Sequence, residues 1–270
     1  MQPSRSFPNA NRLSMVAAAI LLAYALASFV NLPARLVELQ LPGILLAFEI
    51  NVHTAVALLV AGLTASGADW LLRDHPALKG KSTLQHWLFP ALTALVIGIP
   101  LARLPFGLRW FVGFAIGGAL LMLVLVAEYI VVDPGDSRHA LATAGLTAVS
   151  FALFLILAIV LRSAEVRLFL ILPSLTIASG LVSLRTLHLR LQGKWSFLQS
   201  LGLALILAQF TAALHYWPVS PITYGLSLLG LAYALTSLVG NLSEGETLRQ
   251  AIGEPVMVLL IAWGTALWTG

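Results

Sequence analysis

The stretch Arg109-Trp-Phe-Val-Gly-Phe-Ala-Ile-Gly-Gly-Ala-Leu-Leu-Met-Leu-Val-Leu-Val-Ala-Glu128-Tyr-Ile-Val-Val132 decides the fold. Between Arg109 and Glu128 it holds no charged residue. A helix rises ~1.5 Å per residue and the hydrocarbon core of a bilayer is ~30 Å thick, so about 20 apolar residues suffice to cross it. The run is too long for a barrel strand and lacks two-residue alternation. Eight further segments pass the same test: 13–32, 43–66, 84–104, 139–161, 166–186, 196–215, 219–241 and 250–269. They predict an all-α, polytopic transmembrane bundle of about nine spans, one transmembrane domain over 1–270. A flexible tail is expected over 1–12, and 67–83 is the longest cytoplasmic loop.

Composition agrees with that reading. Apolar residues make up 59% of the 270-residue chain and charged residues only 10%, with a mean hydropathy of +0.94. Soluble domains carry about 25% charged residues. This excludes a water-soluble globular enzyme and a disordered chain. The net charge of +4 comes from basic residues scattered singly between apolar spans, with no basic stripe for nucleic acid to follow. The absence of cysteine excludes disulfides and thiolate metal sites.

Loop charges set the orientation. With the N-terminus inside, ten basic residues face the cytoplasm: Arg5, Arg12, Arg73, Lys79, Lys81, Arg138, Arg185, Arg190, Lys194 and Arg249. Five face outward: Arg35, Arg103, Arg109, Arg162 and Arg167. The expected topology is N-in and C-out. Trp70, Trp87, Trp110, Trp195, Trp217 and Trp268 fall near span ends, as an interfacial belt requires. Arg5 and Arg12 precede an apolar run ending in Ala25-Leu-Ala27, a small-residue pattern at which cleavage would leave eight spans in the same orientation.

Polar residues inside spans are the natural site candidates, because charge at mid-bilayer costs several kcal/mol (about 3). Span two carries Glu49, Asn51 and His53. On one helix, Glu49 and His53 would share a face, and Gln209 of span seven lies at similar depth. A carboxylate beside an imidazole can bind a cation, relay a proton or pin two helices. A second group lies toward the inner face: Glu128, Arg138, Arg185, His188 and Glu254. There the acids can neutralise the bases at one depth, as a headgroup or anion pocket or as ordinary ion pairing. Asp133-Pro-Gly-Asp136 could join Glu128 in holding a divalent cation, or simply form a β-turn. Ser179 and Gly180, like Gly113 and Gly117, read as small residues for close helix packing. No catalytic residue, metal ligand or cofactor is assigned.

Three stretches, Glu128-Tyr-Ile-Val-Val-Asp133, Leu214-His-Tyr-Trp-Pro218 and Gly253-Glu-Pro-Val256, resemble an uncharacterised bacterial family of polytopic integral membrane proteins. The likeness covers the last two thirds of the chain. It implies the inner membrane and no particular chemistry.

Three functions compete. A non-catalytic membrane component, a subunit, assembly factor or scaffold, fits the scarce intramembrane charge and tight loops. A small-molecule or lipid transporter would use Glu49 and His53. A lipid-processing enzyme would use Glu128, Asp133 and Asp136. Expected partners are the lipid bilayer and other membrane subunits, not nucleic acid.

Overall fold

The computed structural model describes residues 8–27, 29, 35–41, 44–50, 52–73, 75–78, 83–191 and 193–269. In chain order it contains α1 (Ala10–Ala27), β1 (Arg35–Leu41), β2 (Ile44–Ile50), α2 (Val52–Leu72), α3 (Leu84–Arg103), α4 (Leu108–Val131), α5 (His139–Ser163) and α6 (Leu168–Arg190). There follow α7 (Phe197–His215), α8 (Pro221–Ser243), the single turn α9 (Leu248–Ala251) and α10 (Gly253–Thr269). Among the described residues, eight helices are long and apolar enough to cross a membrane, and His86–Ala102 of α3 forms a shorter apolar helix. The chain is a polytopic helical bundle and a membrane protein.

The helices form two compact units, residues 1–146 and 147–270, with the division inside α5. In unit 1 the core is built from Ile20, Tyr24, Val60, Leu71, Trp110, Leu121, Leu125 and Tyr129. Gly117 admits close approach of α3 to α4: a Cβ there would stand 2.5 Å from Ile97 Cγ2. In unit 2 the core gathers Phe154, Ile171, Leu175, Leu207, Tyr224 and Leu228. Small residues again set the spacing, since a Cβ on Gly230 would stand 2.6 Å from Ala262 Cβ. In lipid, where no hydrophobic force drives helices together, such contacts carry the packing.

The expected second span changes most. Residues 35–41 and 44–50 pair as an antiparallel hairpin, with Leu41 opposite Ile44 and Leu36 opposite Glu49. The helix begins only at Val52 and runs on to Leu72, so the connection to α3 is shorter than the predicted 67–83 loop. The physical reason is in the sequence. Pro42-Gly43 is a strong turn dipeptide, and Val37, Leu39 and Leu41 alternate with Glu38 and Gln40, the two-residue period of a strand. The predicted tail over 1–12 is also shorter, for α1 starts at Ala10.

Local signals place the ends of the site-bearing helices. Ser220 caps α8, its Oγ accepting the Thr223 backbone N–H at 3.2 Å, and Pro221 supplies the first helical position. Gly245, at φ +95°, turns the chain after α8. Thr247 and Gln250 then form the capping box that opens α9.

Candidate functional site

Unit 2 holds a cavity of about 240 Å³ lined by Thr147, Phe151, Thr186, Arg190, Tyr233, Thr236, Ser237 and Glu254. Four helices contribute. Tyr233, Ser237 and Asn241 recur every fourth residue, which puts them on one face of α8. Glu254 stands in the first turn of α10, where the helix dipole favours an acid. Its carboxylate accepts the Tyr233 hydroxyl at 2.6 Å and the Ser237 hydroxyl at 2.8 Å.

Arg190, in the last turn of α6, crosses to α8. It donates to Glu244 through Nε at 2.9 Å and Nη2 at 3.0 Å, and Nη2 also donates to Asn241 Oδ1 at 2.8 Å. The guanidinium lies against bare backbone: a Cβ on Gly240 would stand 2.5 Å from Nη1. Asn241 in turn donates to the Ala251 carbonyl at 3.0 Å, fastening α8 to α9. Phe151 meets the Tyr233 ring edge-on at 5.3 Å. Ser183 and Thr236 share a hydrogen bond of 2.9 Å beside the cavity.

Unit 1 carries a different polar arrangement. His86 opens α3 and Glu128 closes α4, and Nδ1 lies 2.7 Å from Oε2 with the two side chains 6% and 1% exposed. Tyr129 packs edge-on against His75 at 4.5 Å. His75 Nδ1 accepts the Ala77 backbone N–H at 3.2 Å, which suits the neutral imidazole. Burial pushes the His75 pKa down and the nearby His86 adds to this, while Asp133 and Asp136 pull the other way. Asp69, at the end of α2, accepts from Arg73 Nε at 2.7 Å and from Trp87 Nε1 at 3.2 Å, and also from Thr83.

Each residue singled out in the sequence can now be placed. Glu49 lies in β2 and His53 in α2, so the shared helix face expected of them does not form; Asn51 lies outside the described residues. Gln209 is on an exposed face of α7 in unit 2. Glu128 is met by His86. Arg138 is clamped on Asp136, donating at 2.9 Å from its backbone, 3.1 Å from Nε and 2.9 Å from Nη2. That contact holds the Asp136 carboxyl at about 2, well below its ordinary value.

Asp133 caps its own turn. Its Oδ1 accepts the Gly135 N–H at 2.9 Å, and its carbonyl accepts from Asp136 N at 3.2 Å. This is the β-turn reading of Asp133-Pro-Gly-Asp136, so the acids of the lipid-processing scheme each have a protein partner. Arg185 and His188 are buried in α6, with His188 stacked on Trp195 at 4.1 Å. Ser179 donates to the Thr176 carbonyl at 2.9 Å, and a Cβ on Gly180 would stand 3.3 Å from Ala204 Cβ, as close packing of α6 on α7 requires.

Sequence reasoning passed over His86, Arg190, Thr186 and the α8 stripe. The four-residue spacing of Tyr233, Ser237 and Asn241 was a usable signal. His86 had one too, since the start of α3 and the end of α4 lie at one depth in an up-down hairpin.

No curated protein and no solved structure matches this chain. A family model does match, over residues 32–269, and takes in all three stretches that carry the resemblance. The chain belongs to the family described as "Protein of unknown function (DUF5656)".

Proposed function

We propose that the chain is a non-catalytic, multi-pass component of the bacterial inner membrane, a subunit or assembly factor with its N-terminus in the cytoplasm and its C-terminus outside. The observation that supports this reading is how the polar groups on the helices are used. Glu128 is held by His86, Arg190 by Glu244 and Asn241, Glu254 by Tyr233 and Ser237, and Asp69 by Arg73, Thr83 and Trp87. These bonds tie one helix to the next. Groups so engaged hold a framework together rather than stand ready to attack a substrate or carry a proton.

Affinity purification from the native membrane in a mild detergent, followed by native mass measurement, tests the subunit role. A second membrane protein in fixed stoichiometry is the expected result. A 28.8-kDa chain released alone under every mild condition would contradict it. Reporter fusions after residues 80, 136, 192 and 246 test the orientation: all four should read cytoplasmic, and consistent external signals would reverse the topology.

A further inference from the structure

The unit 2 cavity has a chemistry beyond helix fastening. Two charged side chains line it, Arg190 and Glu254. Arg190 is engaged in a two-pronged pair with Glu244, which leaves Glu254 as the carboxylate on the cavity wall. Its oxygens accept the Tyr233 and Ser237 hydroxyls and the Asn241 amide also bonds it, whereas a carboxylate offers about four acceptor sites.

Thr186 gives an independent indication. It is 4% exposed, lies on the cavity wall, and its Oγ1 makes no hydrogen bond within the protein. Several helix hydroxyls turn back onto the carbonyl four residues earlier, Thr64 onto Val60, Thr93 onto Phe89 and Thr176 onto Leu172. Of the buried hydroxyls without a partner among the described residues, Thr143, Thr186 and Ser200, Thr186 is the one on the cavity wall. A buried hydroxyl without a partner costs free energy, so this position is built for something that enters. The volume of about 240 Å³ exceeds what a bare ion needs and falls just below the roughly 300 Å³ at which drug-sized pockets begin. Phe151 and Tyr233 add aromatic faces of the kind that attract a cation.

We propose that this cavity binds a primary ammonium group, borne either by the ethanolamine headgroup of a phospholipid or by a free small amine. The ammonium donates to Glu254 and Thr186, and the hydroxyl-rich wall takes the rest of a short polar molecule. The inference does not rest on the subunit reading, because the purified full-length chain alone can be tested.

The test is a thermal-shift titration of the detergent-purified chain with ethanolamine, against ethylene glycol as its uncharged analogue. Ethanolamine should raise the melting temperature saturably and ethylene glycol should not. Glu254→Gln should abolish the response. Thr186→Val should weaken binding roughly two- to tenfold, the loss of one ordinary hydrogen bond, and leave the unliganded melting temperature unchanged or higher. Native mass spectrometry from mixed phosphatidylethanolamine and phosphatidylglycerol identifies the source. Preferential retention of phosphatidylethanolamine marks a headgroup, and saturable ethanolamine binding without that preference marks a free amine. Equal shifts with ethylene glycol, or neither ethanolamine binding nor lipid preference, would overturn the proposal. So would wild-type affinity in Thr186→Val, a variant whose folding depends on no bond of that hydroxyl.

Discussion

Units 1 and 2 each place a carboxylate beside a base at the ends of apolar helices, yet the two arrangements differ in access. In unit 1, His86 and Glu128 close on each other at 2.7 Å and are almost wholly buried. In unit 2, Arg190 and Glu254 border a cavity, and each is held mainly by polar groups of α8. Removing polar and charged groups from water is costly unless they are well bonded. A pair buried against its partner at this distance meets that cost within the protein and acts as a fastener. An open one keeps acceptor capacity for a ligand. The same residue types therefore serve structure in one unit and recognition in the other.

Glu128→Ala should give the largest loss in stability, about 2–3 kcal/mol, because it removes a buried hydrogen bond between α3 and α4. Denaturant or SDS titration in detergent measures it. The double variant with His86→Ala should lose less than the sum of the two single changes; strict additivity would mean that the pair does not act as one unit.

Gly230→Ala addresses unit 2. Its new Cβ would meet the fixed Ala262 Cβ, so a loss of about 1–3 kcal/mol from overpacking is expected. Gly202 has open space around it, and Gly202→Ala should be neutral or stabilising by up to about 1 kcal/mol. Equal effects at the two positions would deny that close backbone approach holds α8 to α10.

The smallest effect concerns pH. Burial lowers the pKa of His75 from its ordinary value of 6.5. The unfolded chain therefore takes up this proton first as pH falls. The contribution of neutral His75 is complete above pH 6.5 and is lost as pH falls through the lower folded-state value. The melting temperature should decline on acidification through that window, and His75→Gln should flatten the decline. An unchanged slope in the variant would assign the decline to other groups.

Much of this architecture was legible because span length and hydropathy are properties of sequence alone. Segment 109–132 needs no neighbour to be read as a crossing helix. The hairpin was not legible by the same rule: seven apolar-rich residues at 44–50 add to the length of a following helix whether they are helical or extended. Only the alternation at 35–41 and the Pro42-Gly43 punctuation separate the two. The site shows a similar division. Sequence fixes depth, which is why Glu128 and Glu254 stood out. It does not fix rotation about the helix axis, and that rotation gives Glu128 to His86 and Glu254 to Tyr233 and Ser237. Thr186 was hidden for a further reason. Its distinction is a missing intrahelical bond, and nothing in the sequence separates it from Thr176, which makes one.

The chain lacks cysteine, so single cysteines report access directly. Thr186→Cys would place a thiol on the unit 2 cavity wall. Val124→Cys would place one on the buried face of α4 that it shares with Glu128, four residues on, where Val124 is 0% exposed. Labelling the folded protein with a small, water-soluble, cationic methanethiosulfonate tests the contrast between the units. The expected result is rapid reaction at position 186 and reaction at position 124 only after unfolding. Equal reactivity, or protection of both, would contradict the distinction between a closed fastening pair and an open binding site.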